Sequence, residues 1–244
     1  PQEDEEAAAF LHQELSRLGV ALHVSTTLVS LDEAPEGIVM QIRKDAETAQ
    51  LRADCALLCT GRRPLLHQKE LEAAGIDYDL KGIKTDARMM TSANDIYAAG
   101  DVTGGMMLAH RAAVQAKVAA QSMFGGSDYK YDENVIPSVV YSHPQIARVG
   151  YTQRRAADEG LSVEVMKSSY SANIIARTEL MGQGFVKALF HHNEIIGAVI
   201  AGDNAADLIA PLGLAVSCRL TRKQLKSWVI AHPTLSEIFV DLQW

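Results

Sequence analysis

The chain has 244 residues, 48% of them hydrophobic and 22% charged, with a net charge of -7. That is enough apolar side chain for one large domain or two small ones. The acidic balance argues against a nucleic-acid partner, which needs a basic face. No apolar run has the length of a membrane span and nothing at the start reads as a signal peptide, so the expected location is the cytoplasm.

The chain begins PQEDEE, with no methionine and no strand ahead of it, a start expected of a truncated or processed product. Residues 3 to 18 predict an amphipathic helix, with Leu11, Leu15 and Leu18 on one face and acidic residues in the first turn, where they suit the helix dipole. Gly19 ends it, and VALHV, 20 to 24, predicts a strand. Two or three further strands are expected through 27 to 52, with turns at Pro35-Glu36-Gly37 and Lys44-Asp45. The run CALLC, 55 to 59, predicts a strand buried on both faces. Cys55 and Cys59 would then lie about 13 Å apart, at roughly 3.3 Å per residue, too far for a disulfide. The third cysteine is Cys218, and three cysteines do not make a secreted disulfide framework.

DIYAAGD, 95 to 101, predicts a short buried strand, followed by a helix from about Leu108 to Phe124. GGSDYKYDEN, 125 to 134, reads as a linker. Beyond it, IPSVVYS, ARVGYT, LSVEVMKSSY, GFVKALFHH and IIGAVIAG predict strands, and helices are expected at 152 to 160, 203 to 218, 221 to 228 and 234 to 243. Strands first and helices after indicate an α+β domain.

Four segments carry possible chemistry. In Cys59-Thr60-Gly61-Arg62-Arg63-Pro64, small residues at a strand end let a ligand approach the backbone, although an ordinary strand-to-loop turn looks the same. In Ala99-Gly100-Asp101, the carboxylate can accept hydrogen bonds from ligand hydroxyls such as a ribityl chain. Met107, Leu108, Ala109 and His110 then open a helix, whose first N–H groups and positive dipole end suit an anionic ring edge. The alternative is that Asp101 simply makes a turn. In Ala231-His232-Pro233-Thr234-Leu235-Ser236-Glu237, the histidine and the carboxylate five residues on can form an acid–base pair. Thr234-x-x-Glu237 is equally a capping box, which would leave Glu237 structural. The segment from Ser138 to Gly150, with His143-Pro144 between two apolar runs, reads as a hairpin, and no metal-ligand spacing occurs anywhere.

These four segments, taken in chain order, resemble the class I pyridine nucleotide-disulfide oxidoreductases, and the resemblance covers essentially the whole chain. HPTLSE together with the MLAH helix start looks most like the dihydrolipoamide dehydrogenase branch. The departures are as informative: the sequence has no Gly-x-Gly-x-x-Gly and no Cys-x4-Cys redox pair, elements that lie in the family's first half.

The resemblance implies an α/β plus α+β architecture. Residues 1–88 would be the back of an NAD-binding domain, 89–126 the return segment of an FAD-binding domain, and 127–244 the interface domain. It implies that Asp101 and the amides of Met107 to His110 contact FAD, and that Gly61, with Leu28, lines the NAD site. His232 would take a thiol proton and Glu237 would orient it. It implies a homodimer serving dihydrolipoamide, free or on the lipoyl domain of a 2-oxoacid dehydrogenase complex. Without the glycine loops, this chain by itself is expected to hold neither cofactor tightly and to be inactive. Another disulfide substrate of the glutathione- or mercuric-reductase type, or a non-catalytic dimerisation module, are the alternatives.

Overall fold

The computed structural model describes residues 3–125 and 129–243. Three positions of the expected linker, 126 to 128, lie outside the described residues. The chain divides into two compact units, one formed by Leu15–Arg62 and the other by the segments on either side of it.

Helix α1, Glu5–Arg17, has Glu5 and Glu6 in its first turn and Arg17 in its last, the charge order that its dipole favours. The smaller unit is an antiparallel meander of β1 (Thr27–Ala34), β2 (Gly37–Lys44) and β3 (Glu47–Ala53), in the order β1-β2-β3. Gly37 and Asp45 both have positive φ at the two turns, so the turn residues read from the sequence do fix the hairpins.

Two expectations fail here. Residues 20 to 24 and 55 to 59 form no strand, Val24 lying in a turn, and they are not buried. Val24 is 58% exposed and Leu57 is 88% exposed. An apolar run records a preference for burial, whereas a strand also needs a neighbouring backbone to bond. Among the described strands every pairing is antiparallel, and none offers its edge to either run.

The larger unit continues with α2 (Gln68–Ala73) and the small hairpin β4 (Tyr78–Asp79) and β5 (Gly82–Ile83). The expected strand at 95 to 101 is reduced to a single bridge, Met90 to Tyr97, because no longer partner lies beside it. A 3-10 turn at Asp101–Thr103 precedes α3, Ala109–Met123.

The core of this unit is a five-stranded antiparallel sheet. Its strands are β6 (Ser138–Val140), β7 (Gln145–Gly150), β8 (Glu164–Ser169), β9 (Phe185–His191) and β10 (Glu194–Gly202), in the order β6-β7-β10-β9-β8. Helix α4, Gln153–Asp158, follows β7, and α5, Ile174–Thr178, follows β8. Alternation along the strands sends Ala147, Val149, Val186, Ala188, Phe190, Ala198 and Ile200 to one face, where α6 (Ala205–Ser217) covers them with Leu208, Ile209 and Leu212. The chain then runs through α7, Arg222–Leu225, capped by Thr221 and Gln224. Residues Leu235–Gln243 form the helix expected there, of the 3-10 type, and its Ile238, Phe239 and Leu242 close the same core. The opposite face, with Ile146, Phe185, Val199 and Ala201, receives Ala7, Phe10 and Leu11 of α1.

Candidate active site

His232 and Glu237 meet. Glu237 Oε1 lies 2.8 Å from His232 Nδ1. A carboxylate only accepts, so Nδ1 carries the hydrogen and Nε2 is left with its lone pair toward solvent. The hydrogen bond from His232, and then the one from the Thr234 backbone, hold the Glu237 carboxyl below the usual carboxylate range. It is therefore ionised at neutral pH, as the pairing requires.

The two readings of this segment turn out to share one carboxylate. Glu237 Oε2 accepts the backbone N–H of Thr234 at 3.0 Å, as an N-cap partner would. The reciprocal half of the box is missing: the Thr234 hydroxyl donates to the Ala231 carbonyl at 2.7 Å instead. Cap and acid–base orientation are therefore compatible.

The side chain that holds this segment from outside is Asn173, which the sequence reading passed over. It is buried, and its amide donates to the carbonyls of Thr234 (3.1 Å) and Leu235 (3.2 Å). Its carbonyl oxygen caps α5 by accepting from the Ala176 N–H at 3.0 Å. Trp228 stacks on Phe239 at 5.4 Å and its carbonyl accepts from Gln243, so the residues before His232 are held as well. The only sequence signal for Asn173 was an asparagine just ahead of a short helix.

Asp101 sits exposed at the start of a 3-10 turn, a place compatible with either of its readings. Buried Gln115 of α3 fixes this turn by accepting from the Gly100 N–H at 2.8 Å and bonding Thr103. Gly104, with φ of +69°, follows; a Cβ there would lie 1.7 Å from the Lys81 carbonyl oxygen, so no side chain fits. Leu108 caps α3 with extended backbone, and its own N–H is used by the Met106 carbonyl at 3.0 Å. The amides of Ala109 and His110 belong to the helix's first turn, whose N–H groups have no acceptor within the helix. The His110 ring donates from Nε2 to the Pro137 carbonyl at 2.7 Å and so faces the protein. Met107 lies on the approach to the helix, half-buried.

Gly61 and Leu28 lie in the smaller unit. Gly61 has a φ of +102° with open space where a Cβ would be, and Leu28 is an exposed residue of β1. The three cysteines are free and exposed, which corrects the buried strand reading of Cys55 and Cys59 and leaves them unpaired. Among the described residues no cluster of His, Cys, Asp and Glu could hold a metal, and no helix is long and apolar enough to cross a membrane.

For FAD, this structure offers a turn-borne carboxylate at Asp101 and the opening turn of α3, groups that match hydroxyls and an anionic ring edge. A glycine loop to cradle the pyrophosphate is not part of this sequence. The fit is to the flavin end of the cofactor.

The fold has the architecture of the pyridine nucleotide-disulphide oxidoreductases, as comparison with known proteins shows. Residues 1–116 match the pyridine nucleotide-disulphide oxidoreductase family, and residues 136–243 match its dimerisation domain. The chain belongs to the pyridine nucleotide-disulphide oxidoreductase family. It is 34% identical to a dihydrolipoyl dehydrogenase of Bacillus subtilis (strain 168) over 99% of this chain and 52% of the relative. It is 35% identical to that of Geobacillus stearothermophilus over 98% of this chain and 51% of the relative. The chain therefore spans about half the length of the curated relatives it matches. The crystal structure of LpdA from Mycobacterium tuberculosis superposes with a TM-score of 0.89 at 28% identity, covering 100% of this chain and 53% of that one. The HOCl-induced flavoprotein disulfide reductase RclA of Escherichia coli shares the fold, with a TM-score of 0.83 at 24% identity, covering 100% of this chain and 56% of that one.

Proposed function

We propose that this chain is the acid–base and dimer-forming half of a dihydrolipoamide dehydrogenase. The observation that carries the reading is the 2.8 Å contact between His232 Nδ1 and Glu237, which leaves His232 Nε2 as an exposed base. A dithiol reacts as its thiolate, and a thiol with a pKa of about 8.5 is mostly protonated at neutral pH. His232 Nε2 would take that proton, and Glu237 would fix the tautomer and stabilise the imidazolium. Asp101 would bind the ribityl hydroxyls, and the first amides of α3 would face the flavin's pyrimidine edge. FAD bound there would supply the two-electron redox chemistry that links a dithiol to a pyridine nucleotide. Gly61 and Leu28 would line the NAD site. The match of 136–243 to a dimerisation domain supports a homodimer. Identity to dihydrolipoyl dehydrogenases favours dihydrolipoamide, free or carried on a lipoyl domain, over other disulfide substrates.

The test is complementation. The first half of the Bacillus subtilis relative, fused ahead of this chain, should retain flavin and reduce NAD+ with dihydrolipoamide. A flavin-loaded fusion that fails to reduce NAD+ with dihydrolipoamide but oxidises NADH with another disulfide, such as glutathione disulfide, would overturn the substrate assignment. The chain alone is expected to be colourless and inactive after soaking with FAD and desalting, and a stoichiometric flavin signal would refute that part.

A further inference from the structure

The face of the five-stranded sheet that receives α1 carries a basic row. Strand register places Lys167 of β8 opposite Lys187 of β9, Lys187 opposite Val199 of β10, and Val199 opposite Arg148 of β7. Three cations on one face would repel, and Lys187 is 3% exposed. The acidic start of the chain answers them, with Glu6 reaching both lysines. Asp4, also 3% exposed, pairs with Lys187 at 2.7 Å, Glu6 pairs with Lys167, and Glu3 Oε2 lies 2.9 Å from Arg148 Nε. Asp4 at the same time accepts from the N–H groups of Glu6 and Ala7, so it caps α1 and docks it. Breaking such a buried pair from one side leaves an uncompensated charge.

Arg148 does more than pair. Its Nη2 donates to the sulfur of Met106 at 3.8 Å, and Met106 is the residue whose carbonyl takes the Leu108 N–H just before α3. Glu3, Gly105, Met106 and Arg148 line one cleft of about 510 Å³. Arg148 Nε faces Glu3 as an ion pair without hydrogen-bond alignment, whereas Nη2 donates to Met106, so one guanidinium touches both segments through different nitrogens.

The geometry points to Arg148 as a positioning residue that ties the acidic start of α1 to the Met106 turn, and so sets the entry of α3. Its consequence for catalysis rests on the reading that Met107 to His110 meet a flavin. Helix α1 leads into the unit that carries Gly61 and Leu28. The same arginine would then link that helix mechanically to the flavin-facing turn.

The test is made on the chain itself and needs no flavin, so it can fail without touching the functional reading. Glu3→Gln removes a charge that Arg148 senses. It should raise amide exchange about threefold at Gly104, Leu108 and Ala112, and shift the Met106 methyl resonance. Arg148→Met should raise exchange about tenfold both there and in α1 from Ala8 onward, with β9 and β10 still protected. Arg148→Lys keeps the charge but not the fork, and should hold α1 while loosening the 104–112 amides. Lys167→Met should loosen α1 alone. The inference is overturned if Glu3→Gln leaves the Met106 resonance and the 104–112 amides unchanged. It is equally overturned if Lys167→Met reproduces the effect there, or if Arg148→Met opens β9 and β10 together with the two segments.

Discussion

Glu237 gives His232 one carboxylate oxygen, at 2.8 Å, and keeps the other on the Thr234 backbone at 3.0 Å. A glutamine in its place has only one acceptor. If its oxygen stays on the Thr234 N–H, its amide N–H turns toward His232 Nδ1 and the ring hydrogen moves to Nε2. Glu237→Gln is therefore expected to hide the base and lower dihydrolipoamide turnover of the fused enzyme at least about 10-fold. Nitrogen NMR of the histidine ring checks the cause directly: the hydrogen should sit on Nδ1 in the wild type and on Nε2 in the variant. An unchanged tautomer would refute this explanation.

The same carboxylate gives a pH dependence. Its pKa is depressed in the folded state, first by the His232 hydrogen bond and then by the Thr234 N–H. A depressed carboxylate adds stability that is fully present above its unfolded pKa and is lost as pH falls through the folded one. Carbon NMR of the Glu237 carboxyl should show it titrating below an ordinary glutamate, and His232→Gln should bring it back up.

Tyr170 supplies the opposite case. Its ring lies in the core, its hydroxyl donates to the Asp203 carbonyl at 2.6 Å, and burial pushes its pKa well above that of a free tyrosine. A raised pKa adds stability that is whole below the unfolded value of about 10 and is lost as pH rises through the folded one. Alkaline titration followed by phenolate absorbance should show Tyr170 ionising only with unfolding, and Tyr170→Phe should remove that step.

Asn173→Ala deletes two bonds to the 234–235 carbonyls and one helix cap. Two part-buried carbonyls that lose a side-chain donor, one of which keeps the Glu237 N–H, and a lost cap together should cost about 1–3 kcal/mol. Denaturant unfolding measures this. Asn173→Asp, which keeps the cap and loses the two donors, should recover only the smaller share.

How far the sequence reaches depends on the range of the interaction. The meander at 27–53 was legible because its turn residues, Gly37 and the Lys44-Asp45 pair, act locally. The apolar runs that became β9 and β10 were legible because they found each other as sheet neighbours. VALHV and CALLC carry equally good patterns and failed, since a ladder depends on a partner that no local pattern reports. In the site, the five-residue spacing of His232 and Glu237 was visible. That one carboxylate serves both His232 and the Thr234 N–H was not, because it depends on where each oxygen of Glu237 points. Asn173 reaches across 61 residues to Thr234, and the Lys167–Lys187–Arg148 row exists only through strand register.

The most direct measurement of the proposed role is steady-state turnover of the fused enzyme with His232→Gln, set beside NADH-driven reduction of an artificial dye by the same preparation. Glutamine cannot take up a proton at neutral pH, and it leaves the folded core behind the site in place. The account predicts that dihydrolipoamide turnover falls about 10²-fold or more, with flavin content and dye reduction largely retained. A His232→Gln enzyme that oxidises dihydrolipoamide at a near-normal rate would contradict it.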